Sequence, residues 1–185
     1  MRKFLINNET LLLTNLAARN FLIHANLMGE IGMAELRRVE AKLWHCGQLT
    51  RRLRAAQSGA LASLGVRSHA ELRSRFSESS VKWSWMIDGK LAGMCGVTGS
   101  HLSFTGFIWL ALAEAATRHP ALTARAARSQ IAEIMLTRRE IYSVMFHSDA
   151  ASMRWIEFLK FDKAEHQPDW IPAGAVLMAH RKARA

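Results

Sequence analysis

Eight histidines and two cysteines are the residues with which this chain could hold a metal or supply a soft nucleophile. The histidines stand at 24, 45, 69, 101, 119, 147, 166 and 180, and no two form a His-x-x-x-His pair. Cys46 and Cys95 are too far apart for a Cys-x-x-Cys knuckle. A zinc site needs three or four converging ligands, and this spacing supplies no such group, so no metal is expected. Two isolated thiols fit a reducing compartment better than a disulfide framework. His147-Ser148-Asp149 contains the residue types of a hydrolytic triad. Adjacent residues cannot line up nucleophile, base and orienting carboxylate, however, so the trio reads as a strand end followed by a helix cap. Cys95, within Gly93-Met94-Cys95-Gly96-Val97, reads as a small core residue. No Walker or dinucleotide glycine pattern occurs. Motifs alone leave the catalytic residue unknown.

Trp83 and Trp85 fall on one face of a strand. Facing solvent beside positive charge they would form a base-stacking platform; packing into a core is the expected alternative. Lys+Arg 25 against Asp+Glu 15 gives a net charge of +10. That charge is spread along the chain, so it permits a polyanion such as nucleic acid without requiring one. Arg51-Arg52-Leu53-Arg54 reads as a solvated helix face. The longest near-apolar run, 104–113, is too short to span a bilayer. Asn7, Asn8 and Glu9 interrupt the N-terminal apolar run, so no signal peptide is read. The expected location is the cytoplasm, or the inside of something that delivers the protein.

These residues must be positioned by elements whose periodicity is visible. Residues 10–28 carry apolar side chains at helical spacing, and residues 33–44 do the same with Met33, Leu36, Val39, Leu43 and Trp44. Ser68, with Glu71 three residues on, has the form of a capping box for the next helix. Residues 81–98 alternate on both sides of Asp88-Gly89, a strong hairpin signal. A buried strand follows at 106–112, then a long helix opening on Pro120 and running to about 138. Strands at 141–147 and 174–180 enclose a short helix capped by Asp149. The order predicts one mixed α/β (α+β) domain, with strands 106–112 and 141–147 parallel on either side of a helical crossover. Trp109, Ile131, Met135, Trp155 and Phe158 are the expected core.

Four segments carry a resemblance: AELRRVEAKLW (34–44), VKWSWMIDGKLAGMCGV (81–97), TGFIWLAL (105–112) and YSVMFHSDAASMRWIEFLKF (142–161). In order, spacing and residue character they resemble the Gcn5-related N-acetyltransferase (GNAT) superfamily. They are closer still to the small GNAT-like proteins of tailed phages, including the internal virion proteins of short-tailed phages. The resemblance runs from about Ala34 to Lys163. Residues 1–30 lie outside it and are expected to form an N-terminal helical extension packed on a 31–185 body.

The resemblance implies a sheet that splays at its fourth strand, here Phe107–Leu112. The exposed backbone of Leu110 and Leu112 would pair with the pantetheine arm of acetyl-CoA, as a peptide adds to a sheet edge. The loop and helix N-terminus that follow would cradle the pyrophosphate, which assigns Arg118, Ala121, Leu122 and Thr123 to the cofactor. Active members carry Arg/Gln-x-x-Gly-x-Gly/Ala there. In this chain Ala121 replaces the first glycine, Thr123 the second small residue, and Pro120 lacks an N–H. Active members also place Asn at the strand end and, seven residues on, a Tyr that protonates the leaving thiolate. The matching positions are Asp149 and Ile156, and isoleucine donates no proton. Lys160 stands where a glycine usually precedes Phe161, and Glu114 is expected to face solvent or cap a turn.

Acetyl-CoA binding is therefore expected to be weak or absent. One function that follows is a phage-encoded, virion-associated or host-directed accessory factor with phage or host proteins as partners. The other is an active N-acetyltransferase moving acetyl from acetyl-CoA to an amine. A nucleic-acid accessory role rests on charge alone.

Overall fold

The computed structural model describes residues 34–182. The chain divides into two units at Glu35/Leu36, and the fold is that of the second, Leu36 onward. The helix expected at 10–28, and the 1–30 extension with it, lie outside the described residues.

Asp88 and Gly89 adopt φ of 48° and 72°. Two successive positive φ values make the turn whose twist matches paired strands, and β2 (Ser79–Ile87) folds back on β3 (Lys90–Thr98) through it. β4 (Thr105–Leu112) adds antiparallel to β3. Gly96 is required at this junction. A Cβ there would lie 2.7 Å from Ser79 Oγ and 2.9 Å from Trp109 Nε1, where the indole N–H donates to the serine hydroxyl at 2.8 Å.

A short 3-10 turn (Glu114–Arg118) leads to α4 (Pro120–Ile134), with proline in the first helical turn as expected. β5 (Glu140–Phe146) then runs parallel to β4. β7 (Ala175–Arg181) pairs antiparallel along all of β5, and the two-residue β6 (Asp162–Lys163) closes that side. With β1 (Leu36–Glu40) on the outer edge of β2, the result is a seven-stranded mixed sheet of order β1-β2-β3-β4-β5-β7-β6 with helices around it. Trp83 and Trp85 are 7% and 1% exposed, so they pack in the core and form no stacking platform.

Several local expectations are corrected. The middle of the helix expected over 33–44 is instead the strand β1, Leu36–Glu40. Its apolar residues sit three apart, but the open edge of β2 offers a ladder running from Leu36↔Ile87 to Glu40↔Trp83, and pairing outweighs a weak helical period. α1 (Leu43–Thr50) begins only after it and buries His45, Cys46 and Leu49, leaving Trp44 63% exposed. α2 (Ala55–Ser63) and α3 (Ser68–Glu78) follow. Ser68 is the first helical residue of α3 and not its cap. The N-cap is Arg67, without a side-chain bond, and Glu71 accepts instead from Arg75 Nε at 2.7 Å.

α4 stops at Ile134, short of 138. In α5 (Ala150–Phe158) the cap is as expected: Asp149 accepts from Ser152 N at 3.0 Å and Ser152 Oγ at 2.6 Å. The inward face, however, carries Ser152 and Ile156 and continues to Leu159. Trp155 is half-buried, and Phe158 is 47% exposed beneath the Arg128 guanidinium, 3.9 Å from the ring centroid. A shift of one residue, about 100° on a helix, separates the expected face from the observed one. Ile131 and Met135 are buried as expected, and Trp109 packs half-buried against the cluster of Leu49, Leu72, Met94 and Ala111.

His45 gives this core a pH dependence. Its Nδ1 accepts from Lys42 N–H at 3.1 Å and lies 2.8 Å from Ser84 Oγ, a fully buried hydroxyl. Burial, aided by the Lys42 charge, lowers the imidazole pKa from its ordinary 6.5. The unfolded chain therefore takes up a proton that the folded chain resists. Stability from this residue is complete above about pH 6.5 and declines as pH falls below it. Urea unfolding at pH 7.5 and 5.5 should show that decline, and His45→Gln should flatten it. Equal pH slopes in the two proteins would count against the assignment.

Candidate functional site

β4 and β5 pair over three residues only, from Thr105↔Glu140 to Phe107↔Tyr142. Beyond that vertex β4 stays on β3 as far as Leu112, while β5 stays on β7 as far as Phe146. The strands part, and a cleft with a cavity of about 450 Å³ opens between them. This explains why β4, expected to be a buried strand, is only half-buried from Phe107 to Leu110. Trp85 and Cys95 lie beneath the cleft, Ala127 and Gln130 of α4 and Ile156 of α5 wall one side, and α2 and α3 contribute Gln57 and Leu72.

The vertex is held by Arg138, 5% exposed. Its guanidinium donates to the carbonyls of Ser103 (3.1 Å), Ser100 (3.3 Å) and Thr105. Gly106 makes room for it, since a Cβ there would lie 2.9 Å from Nη1. Burial lowers the guanidinium pKa from its ordinary value. The charge is nevertheless kept, because arginine starts so far above neutrality.

Along β4, alternate residues turn their peptide groups toward β3 and away from it. Leu110 and Leu112 turn theirs into the splay, where Leu110 O and both backbone groups of Leu112 are taken. Gln57 Nε2 donates to Leu110 O at 3.0 Å, and Leu112 N donates to Gln57 Oε1 at 2.9 Å. Arg54 N donates to Leu112 O at 3.0 Å. The Arg54 guanidinium then reaches the start of α5, where Nη1 donates to Ser152 Oγ at 3.2 Å and Nη2 lies 3.6 Å from Asp149 Oδ1. A bridge between Leu53 and Ala113 fixes the near end. Residues 53–57 thus form a strap from the end of β4 to the cap of α5. Arg54 and Gln57 are the site residues that sequence reading misses: within Arg51–Gln57 they have the composition of a solvated helix face.

The other residues assigned to a cofactor lie elsewhere. Arg118 and Ala121 are exposed and Leu122 is half-buried. Thr123 is buried, with its hydroxyl donating to His119 O at 2.9 Å and its N–H to the same carbonyl at 3.0 Å. Of the six assigned residues, Leu110 and Leu112 line the cleft and these four do not. On the strand edge, Gln57 and Arg54 hold Leu110 O, Leu112 N and Leu112 O, and the loop beyond carries Pro120 and a Thr123 hydroxyl turned to His119 O.

Groups able to move a proton are equally committed. Ile156 is buried in the cleft wall at the position of the expected acid. Among the described residues the cleft carboxylates are Glu71, paired with Arg75, and Asp149, held by Ser152 and Arg54. Cys95 donates to Gln130 Oε1 at 3.3 Å, and burial pushes its thiol well above the ordinary range, which makes it inert. Tyr142, the single tyrosine, donates to Glu140 Oε2 at 2.6 Å; burial, with that carboxylate adding to it, pushes the phenol up to about 12. Glu114 opens the 3-10 turn and is exposed, as expected. No cluster of three or more His, Cys, Asp or Glu able to hold a metal occurs among the described residues, and no described helix is long and apolar enough to cross a membrane.

No family model and no curated protein matches the sequence. The fold does match solved structures. The ribosomal-protein-S18-alanine N-acetyltransferase from Escherichia coli superposes with a TM-score of 0.59 at 17% identity, over 83% of this chain and 96% of that one. The PaiA N-acetyltransferase from Thermoplasma acidophilum, solved in complex with coenzyme A, gives 0.60 at 8% identity, over 80% and 99%. A GNAT-family acetyltransferase from Bacillus anthracis gives 0.54 at 13%, over 80% and 94%. At these identities the likeness shows the fold alone: a mixed α/β sheet flanked by helices that matches GNAT acetyltransferase folds.

Proposed function

We propose that this chain is a non-catalytic accessory protein built on the GNAT acetyltransferase fold, whose cleft binds acetyl-CoA weakly or not at all. The observation that carries the reading is Ile156, buried in the cleft wall where an active member places its acid, with both cleft carboxylates already paired. Positioned proton transfer is typically worth about 10²–10⁴ in rate, and no described cleft group is free to supply it. Pro120 and the inward Thr123 hydroxyl support the same reading at the phosphate loop. The sequence resemblance to phage virion proteins supports a phage-encoded factor, virion-associated or acting in the host cytoplasm on phage or host proteins. The net charge of +10 leaves a polyanion among the partners to be tried.

A second reading, an active N-acetyltransferase, draws on the cavity that remains between β4 and β5. Release of coenzyme A from acetyl-CoA in the presence of amine acceptors separates the two. The proposal expects no release above the uncatalysed rate, and steady turnover would establish the enzyme.

A further inference from the structure

Gln57 meets the edge of β4 as a strand would. A primary carboxamide presents one N–H and one C=O in a single plane, the same pair that a peptide unit offers to a ladder. Here the N–H goes to Leu110 O at 3.0 Å, and the C=O receives Leu112 N–H at 2.9 Å. These are neighbouring edge groups two residues apart, both facing the cleft. Packing does not force this arrangement: α2, which carries Gln57, buries none of its side chains. Its described polar ties to the body are this amide and the Arg54 contacts with Leu112 O, Ser152 and Asp149. A helix whose apolar Ala60 and Leu61 are only half-buried, and which is otherwise held by polar contacts, belongs to the low-stability end of a fold, where local opening is cheap.

We infer that Gln57 is an internal occupant of the β4 edge at Leu110–Leu112, which its carboxamide must leave before an extended arm of secondary amides can pair there. A ligand reaches the edge only after the Gln57 carboxamide swings out. Apparent affinity is therefore reduced by the fraction of molecules with the strap open. This rests on reading the cleft as one that admits the arm of an acyl-CoA weakly.

The probe is pantetheine, which carries two secondary amides and no phosphate. Adenosine 3′,5′-bisphosphate, which has no such arm, is the control. By calorimetric titration of the full chain, Gln57→Ala should bind pantetheine about tenfold more tightly than the wild type, the scale of one or two neutral hydrogen bonds. Gln57→Glu keeps the length but sets a carboxylate oxygen against Leu110 O, so it should also bind more tightly. The control should bind all three proteins alike. In hydrogen exchange, the Leu112 amide should lose protection in Gln57→Ala.

Equal or weaker pantetheine binding by both variants, no measurable binding by any of the three, or an unchanged Leu112 exchange rate would overturn the inference. Turnover of acetyl-CoA by the wild type would instead overturn the non-catalytic reading, while the ratio between variant and wild type would still judge Gln57.

Discussion

Arg138→Ala should destabilise the fold by about 3–5 kcal/mol, because it removes the shared donor of three carbonyls at once. Ser100, Ser103 and Thr105 belong to the turn and strand start that precede the splay, and the side chain that ties them together is 5% exposed. A carbonyl left without a partner where water is excluded costs about 1–3 kcal/mol, and water reaching the exposed Ser100 and Thr105 recovers part of that sum. In a chain of this size the loss corresponds to a drop in Tm of roughly 10 °C or more. Arg138→Lys keeps the charge but loses the planar fork, so it should fall between wild type and alanine. Urea denaturation measures both variants, and a loss below about 1 kcal/mol for Arg138→Ala would show that the vertex does not depend on this residue.

Trp85→Ala should cost a similar amount, about 3–5 kcal/mol. The indole is 1% exposed and lies beneath the cleft, opposite Gly93 on β3. Truncating it removes a large apolar body from under the cavity, and the flanking strands of a central hairpin cannot collapse to fill the space. Its Nε1 makes no hydrogen bond to any described residue. Trp85→Phe, which keeps an aromatic ring and discards only that N–H and part of the volume, should therefore be clearly milder than alanine. Equal losses for Phe and Ala would mean that the N–H has a partner after all.

The parts of the fold set by strong local chemistry were legible in the sequence. Asp88-Gly89 marked the hairpin because few residue pairs accept two positive φ angles. Pro120 marked a helix start because its missing N–H has no intrahelical partner there. Asp149 marked the cap of α5 because its carboxylate satisfies Ser152. The parallel pair followed from a helix lying between two strand-like runs. Where a choice depended on a neighbour, the sequence was silent. Leu36–Glu40 reads as helix until β2 offers it an edge. The face of α5 turns by one residue according to what the sheet presents, which brings Ile156 inward and leaves Phe158 under Arg128.

The site divides the same way. Leu110 and Leu112 could be placed on the splayed edge from the strand pattern together with the family resemblance, and Ile156 could be identified as unable to donate a proton. Gln57 could not be found, because its role comes from two backbone atoms fifty-odd residues away and not from any feature of its own segment. The inward turn of the Thr123 hydroxyl likewise depends on where the carbonyl of His119 points.

The central claim is that a GNAT-type cleft is present while the groups that would hold and turn over acetyl-CoA are absent or occupied. Calorimetric titration of the full chain with acetyl-CoA tests it most directly. Losing two charge-assisted bonds at the phosphate loop would cost about 1.5–3 kcal/mol each, about a hundredfold or more in affinity. The account predicts a dissociation constant of roughly 0.1 mM or weaker, with no coenzyme A released when an amine is added. A dissociation constant in the low micromolar range, accompanied by such release, would contradict it.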